Sequence, residues 1–392
     1  MNSQSQKTLR RIEQNDATMI TLWIGSNGGF SSNRSSDFSQ LGVAIGRNTH
    51  VRVLGVVLDH TVLKVTDRRK IYEGLKSNTS INELRIECYN QSIIGGVVDE
   101  ILKAYQENNS HLTRLQIEHA DLRNGGDRLV ATTLNSCTNL KQISIRNSNM
   151  SDKQLLPIVQ ALTGHSSLEK LSLYGNRIGN CMYGGCEALV TLLEDPNCNI
   201  HTINLGENHI GNVGTTALIN SLANNTTLRN FYLQGNPVGS RFNERMRMMK
   251  GVTKILCNES SINNIYASNH TVESVQIGGT HFTTTPHLVG ALLNLNKERN
   301  KSHVAIKKIL KYHPNIDMGP FFEWNTEGEG ERDLKALPYV IAWFERAQEA
   351  VADDERGEES YNIGERKLSA MYQFAKAMPL MFVPASHNIK RK

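Results

Sequence analysis

The sequence predicts an α/β solenoid, a horseshoe of stacked strand-and-helix units with a parallel inner sheet, outer helices and a small α-helical cap at the C-terminal end. Three observations predict it. An apolar pattern of the form LxxLxLxxNxL recurs, most clearly in Leu168–Ile178, Ile200–Ile210 and Leu228–Val238. A small polar cluster stands just before most copies. An apolar stripe at helical spacing follows several of them. Such a period marks an architecture in which each unit buries its apolar face only against its neighbours.

The copies start at Met19, Val51, Ile81, Leu112, Leu140, Leu168, Ile200, Leu228 and Val272. The first seven intervals run from 28 to 32 residues, and the last is 44, so extra chain is inserted before the final copy. Ile262 with Ile265 reads as a degenerate copy inside that insertion. The polar clusters are Asn48–His50, Asn78–Ser80, His165–Ser167, Asn225–Thr227 and Asn269–Thr271. Side chains of these types bond nearby backbone groups and favour turns. Helix stripes appear at Val97, Val98, Ile101 and Leu102, at Ala188, Leu189, Leu192 and Leu193, and at Ala217, Leu218 and Leu222. A stack of like units requires parallel strands with every helix on one outer side.

Over residues 19–295 this pattern resembles the ribonuclease-inhibitor-like class of leucine-rich repeats, which implies a leucine-rich-repeat solenoid. In that class the ninth-position asparagine bonds backbone groups of the adjacent turn. Asn27, Asn176, Asn208 and Asn236 match it; Asp59, Tyr89, Ala120, Ser148 and Thr280 replace it. The inhibitor function does not carry over, because those members are acidic and cysteine-rich. The GTPase-activating members are similar in repeat length but carry an acidic tail, whereas this chain ends in Lys390–Lys392. The C-terminal segment is similar to helical tails of uncharacterised algal members.

The expected organisation is a cap over residues 1–18, the solenoid over 19–296, a helical domain over 297–384 and a basic tail over 385–392. Val304, Ile306, Ile309 and Leu310 predict one C-terminal helix. Leu334, Leu337, Ile341 and Phe344 predict a second, interrupted by Pro338. Leu368, Met371, Tyr372, Ala375 and Met378 predict a third. Their two readings are a cap over the last repeat and a separate recruitment domain.

The chain has 392 residues, 39% of them apolar, enough for a long solenoid with a small extra domain. Its formal charge of +5 is too small to imply nucleic acid without a clustered basic stripe. Six cysteines form no framework, and Cys181 with Cys186 lacks a second pair to complete a zinc site, so all read as reduced thiols. The first residues lack a signal-like apolar stretch, and no run approaches the roughly 20 apolar residues of a membrane helix. The expectation is a cytoplasmic protein, with the nucleus also open to it and no membrane partner.

No phosphate-binding loop, nucleophile–base pair or metal-ligand spacing is present, so the expectation is no enzyme, no cofactor and no metal. The glycine pairs Gly28–Gly29, Gly95–Gly96, Gly125–Gly126 and Gly184–Gly185 read as strand-to-helix turns. His60, His119, His209 and His270 read as polar loop residues at or just after strand ends. Arg68–Lys70 and Arg245, Arg247 and Lys250 read as solvated helix faces.

The informative positions lie between the buried strand residues, because side chains alternate along a strand. They form rows on the concave face. One contains Trp23, Gly55, Arg85, Gln116, Ser144, Ser172, Asn204, Tyr232 and Gln276. Its neighbour contains Gly25, Val57, Glu87, Glu118, Arg146, Tyr174, Gly206, Gln234 and Gly278. A third contains Glu83, Arg114, Gln142 and Lys170. The candidate partner-binding residues are Trp23, Arg85, Glu87, Arg114, Glu118, Arg146, Lys170, Tyr174, Tyr232 and Gln234, since Arg, Tyr and Trp anchor interfaces. The expected partner is a protein, with no specific nucleic acid. The expected role is an interaction scaffold; the alternative is a regulator of an enzyme, as a GTPase activator or hydrolase inhibitor.

Overall fold

The computed structural model describes residues 3–25, 29–32, 34–58, 65–88, 97–107, 111–123, 125–179, 184–238, 242–278 and 287–312. The expected helices around Leu334–Phe344 and Leu368–Met378, and the positions Asn27, Asp59, Tyr89 and Thr280, lie outside them. Among the described residues nine strands form one sheet: β1 Thr21–Ile24, β2 Val53–Leu58, β3 Glu83–Cys88, β4 Arg114–Glu118, β5 Gln142–Arg146, β6 Lys170–Ser172, β7 Thr202–Asn204, β8 Asn230–Gln234 and β9 Ser274–Gly278. Every neighbouring pair is parallel, in sequence order.

Helices alternate with the strands: α1 Ser3–Glu13, α2 Ser35–Arg47, α3 Val65–Ser77, α4 Val97–Glu107, α5 Gly126–Ser136, α6 Asp152–Leu162, α7 Gly185–Glu194 and α8 Asn212–Ser221. Between β8 and β9 stand α9 Phe242–Leu256 and α10 Ile262–Tyr266; after β9 come α11 His287–Leu295 and α12 Lys301–Tyr312. α12 contains the predicted Val304–Leu310 stripe. Two compact units emerge among the described residues. One comprises residues 3–252 and 271–290, the other residues 253–270 and 291–312.

Each copy contributes its first apolar residue and two residues in or immediately after its strand to the core. Leu84 and Ile86, Leu115 and Ile117, Ile143 and Ile145, and Ile203 and Leu205 are all fully buried. Burial of aliphatic side chains at about 1.5–3 kcal/mol each is the main force holding neighbouring units together. α2 and α3 approach closely because two glycines face each other. A Cβ on Gly42 would lie 2.2 Å from the Lys70 carbonyl oxygen, and one on Gly74 would lie 2.1 Å from that of Gly42.

Asparagines clamp both turns that flank the strands. At the leading turn, Asn78 donates from Nδ2 to the Ile45 and Asn48 carbonyls at 2.7 and 2.9 Å. Its Oδ1 accepts from the Ser80 and Ile81 amides at 2.9 and 2.8 Å. Asn48 and Asn225 hold their own turns in the same way. At the trailing turn, Asn208 donates to the Leu173, Leu205 and Gly206 carbonyls and accepts from the Ile178 amide at 3.1 Å. Asn176 and Asn236 repeat that pattern. Each clamp reaches one repeat back, so buried backbone groups that helix and sheet leave unpaired are satisfied across the seam.

Three expectations need correction. Ile262 and Ile265 are not a strand: Ser261 caps α10 by accepting from the Asn264 amide, and the spacing of three is a helical one. His270 does not follow a strand. It precedes β9, and its Nδ1 lies 3.1 Å from Lys308 Nζ. Lys70 is not part of a solvated face, because its Nζ donates to the Ser35 carbonyl on the neighbouring helix at 2.8 Å. Of the glycine pairs, Gly125 and Gly184 sit at φ 94° and 71° immediately before α5 and α7, where the left-handed turn favours glycine.

Candidate interaction face

The strand register lines up the rows that the alternation predicts. Trp23, Gly55, Arg85, Gln116, Ser144, Ser172, Asn204, Tyr232 and Gln276 follow one another across the sheet. Glu83, Arg114, Gln142 and Lys170 form the second row, and Val57, Glu87, Glu118 and Arg146 part of the third. Tyr174 lies two residues beyond β6, and the Asn147 amide bonds its carbonyl at 3.0 Å, which continues the third row. Arg114 and Lys170 are exposed; Trp23, Arg85, Glu87, Glu118, Arg146, Tyr174, Tyr232 and Gln234 are half-buried.

These side chains gather into two clusters, each spanning neighbouring repeats. In the first, Glu83 pairs with Arg85 at 2.6 Å and with Arg114 at 3.4 Å. In the second, Glu118 accepts from Gln116 at 2.7 Å and pairs with Arg146 at 3.5 Å. The Arg146 guanidinium stands 5.1 Å from the centre of the Tyr174 ring, a cation–π arrangement. The mixed charge is therefore largely paired within the face. Trp23 stays apart, its ring lying over Gly55 on the next strand, where a Cβ would come within 2.2 Å of Cε3. About 34 Å of sheet separates it from Tyr232, at ~4.8 Å per strand interval.

Two kinds of residue on this face stand outside the candidate set. Glu83 is buried beneath its two arginines. Its signal was the i, i+2 spacing to Arg85, which puts both on one face. Arg52 and Lys141 stand one residue before β2 and β5 and line a groove along the leading edge of the same face. Their signal was recurrence at one repeat position.

Five cysteines lie among the described residues, all buried as free thiols. Burial raises Cys88 and Cys137 to about 12 and Cys257 to about 11, so they stay protonated rather than serving as thiolate nucleophiles near neutral pH. Among the described residues no group of three His, Cys, Asp or Glu side chains is placed to hold a metal ion. None of the described helices is long and apolar enough to cross a membrane.

No family model matches the chain. Over 107 residues it is 33% identical to Tonsoku-like protein of Bos taurus, covering 26% of this chain and 8% of that protein. Over 133 residues it is 28% identical to NACHT, LRR and PYD domains-containing protein 3 of Bos taurus, covering 34% of this chain and 13% of the relative. A third similarity, 35% over 89 residues, is to Tonsoku-like protein of Mus musculus and covers 22% of this chain and 6% of that protein. The chain thus spans only a small part of each relative. Those relatives contain leucine-rich repeats. With nine parallel strands alternating with helices, the fold is an α/β solenoid of the leucine-rich-repeat type.

Proposed function

We propose that the solvent-facing side of the sheet docks a protein partner, which makes the chain an interaction scaffold of the ribonuclease-inhibitor-like repeat class. The observation that carries this reading is the Glu118–Arg146–Tyr174 cluster. It holds an arginine and a tyrosine in place across three successive repeats before any partner arrives. Preorganised side chains lose less conformational entropy on binding, and Arg and Tyr are the types that anchor interfaces. Eight strand intervals give a strip of about 40 Å, long enough for the ~800 Å² that each partner contributes to a standard interface. In this reading the chain performs no catalysis of its own, needs no cofactor, and acts in the cytoplasm.

The test is affinity capture followed by mass spectrometry. It compares the full chain with a variant carrying Arg85→Ala, Arg146→Ala, Tyr174→Ala and Tyr232→Ala. The expected result is loss of the stoichiometric partner from a variant that keeps the circular-dichroism spectrum of the full chain and still melts cooperatively. Recovery of the same partner by the folded variant sinks the proposal. If the captured partner is an enzyme, its turnover with and without the chain separates a scaffold from a regulator.

A further inference from the structure

Arg52, Asn82, Thr113 and Lys141 occupy one repeat position, each a single residue before β2, β3, β4 or β5. Backbone bonds between successive members, 2.8–3.0 Å long, hold this row at the spacing of the sheet. The four side chains, with His111, line a groove of about 450 Å³. Among its lining residues there is no carboxylate and no apolar side chain. At ~4.8 Å per strand the two cations stand about 14 Å apart, with Asn82 and Thr113 between them. Arg52 and Lys141 are both exposed, and Lys141 Nζ stands 3.7 Å from the solvent-accessible carboxylate of Glu169 on the next repeat. Arg52 Nη1 donates to the Ser80 carbonyl at 3.2 Å, which steadies the guanidinium at the groove wall.

We propose that this groove binds a phosphorylated serine or threonine in an extended segment of a protein partner. The inference rests on the reading of this sheet face as a docking surface, and it names the chemistry that the partner presents there. A phosphoryl group carries nearly two negative charges and three acceptor oxygens. A phosphoryl group above Asn82 and Thr113 lies about 7 Å along the row from each cation, within the reach of an extended arginine or lysine side chain, so the Arg52 fork takes two oxygens through its remaining N–H groups and Lys141, exchanging Glu169 for the phosphate, takes the third. Asn82 and Thr113 supply the uncharged floor.

The next member of the row after Lys141 selects a peptide over a nucleic acid. It is Glu169, whose carboxylate lies 3.7 Å from Lys141 Nζ. A second groove shares Arg52, Asn82, Thr113 and Lys141 with the first and adds Glu83 and Glu169 beside Arg114 and Lys170. A polyanion tracking this edge would bring its next phosphates onto carboxylates, whereas nucleic-acid sites present an uninterrupted basic track. A peptide with one phosphate and one basic residue satisfies both signs. The distance from the middle of the Arg52–Lys141 span to Glu169 is about 12 Å, or roughly three to four residues of extended chain.

The experiment uses the full chain and fluorescent degenerate nonapeptides with a central phosphoserine or phosphothreonine. Controls are the same peptides with serine, threonine or glutamate at the centre, and a mixed-sequence single-stranded RNA. The expected result is binding at least about tenfold tighter for the phosphopeptides, equivalent to ~1.4 kcal/mol. Selected peptides should be enriched in Arg or Lys three to four positions from the phosphate. The Arg52→Ala, Lys141→Ala double variant should lose that preference while its melt stays unchanged, both side chains being exposed. Equal binding of unphosphorylated peptides overturns the proposal, as does tighter binding of the RNA or retained preference in the folded double variant. Absence of phosphopeptide binding also overturns it. If the partner captured through Arg146 and Tyr174 is then still recovered, the docking face stands and only the groove assignment falls.

Discussion

Among the described residues, asparagines clamp the leading turns of β2 and β3, through Asn48 and Asn78, and the trailing turns of β6 to β8, through Asn176, Asn208 and Asn236. The β8 repeat has both, because Asn225 holds its leading turn. Between these regions, Ala120 offers no side-chain bond at the trailing position. Ser148 offers a partial one, donating to the Arg146 carbonyl at 2.9 Å and accepting from the Ala120 amide at 3.3 Å. Either turn can join a repeat to its predecessor, since each clamp bonds backbone groups on both sides of the seam. Among the repeats whose trailing turns are described, those of β4 and β5 have the least clamping there, and they carry the paired Glu118 and Arg146 and much of the leading-edge groove.

The largest expected effect tests whether the two kinds of clamp are equivalent. Asn78→Ala removes five buried hydrogen bonds and Asn208→Ala four, and each should cost about 3 kcal/mol in urea unfolding. A cost below about 1 kcal/mol for either one breaks the equivalence. Asn225→Ala sharpens it. Asn236 still clamps that repeat at its other end, so the loss should be smaller, about 2 kcal/mol.

The second unit provides a pH-dependent case. Its last leading turn exposes the Asn269 carbonyl to two donors, Asn296 Nδ2 at 3.3 Å and Lys308 Nζ at 3.2 Å. Lys308 is fully buried and also donates to the Leu256 carbonyl at the end of α9. Burial pulls its ammonium from 10.5 down to about 7, and burial with the Lys308 charge pulls His270 from 6.5 down to about 4. In both windows the unfolded chain binds more protons than the folded one, so stability rises with pH through each. The melting midpoint of this unit should climb by roughly 5 °C between pH 7 and 10. Lys308→Met should flatten that climb in a calorimetric pH series. An unchanged slope in the variant would assign the pH dependence to other groups.

The smallest effect concerns the face itself. Glu118→Gln leaves Arg146 on the Tyr174 ring but removes a half-exposed ion pair. Chemical denaturation should show a loss of about 0.5 kcal/mol that shrinks with added salt. A loss several times larger would make the cluster part of the stacking machinery rather than a feature of the surface.

Much of this architecture was legible in the sequence, for a physical reason. Trailing asparagines recur at a fixed offset from the strand, so Asn176, Asn208 and Asn236 announce themselves by spacing, and the polar clusters at Asn48 and Asn78 do the same for the leading turns. Period-two alternation put Arg85, Arg146 and Tyr232 on one face without any coordinates. Pairing across repeats was not legible. That Glu83 lies beneath Arg85 and Arg114 depends on a register between residues 31 apart in the chain. Lys308 meets Leu256 across 52 residues, and nothing in its local pattern distinguishes it from the partly exposed Lys307 and Lys311. Ile262 and Ile265 misled because a spacing of three suits both a repeat strand and a helix turn, and only Ser261 and Asn264 decide between them.

The leading turns have a consequence for covalent modification. Asn78–Ser80, Asn225–Thr227 and Asn269–Thr271 each spell the acceptor sequence for N-linked sugar. The chemistry that makes them acceptors is the chemistry that makes them turns, an amide with a hydroxyl two residues later. In the folded chain Asn78 Nδ2 is committed to two carbonyls of the preceding repeat, and the Ser80 hydroxyl to the Asn48 and Val51 carbonyls. A glycan on Asn78 and the seam between these repeats are mutually exclusive. In a glycosylating compartment, modification and folding would compete for the same atom, and each molecule sugared there would lose a joint of its solenoid.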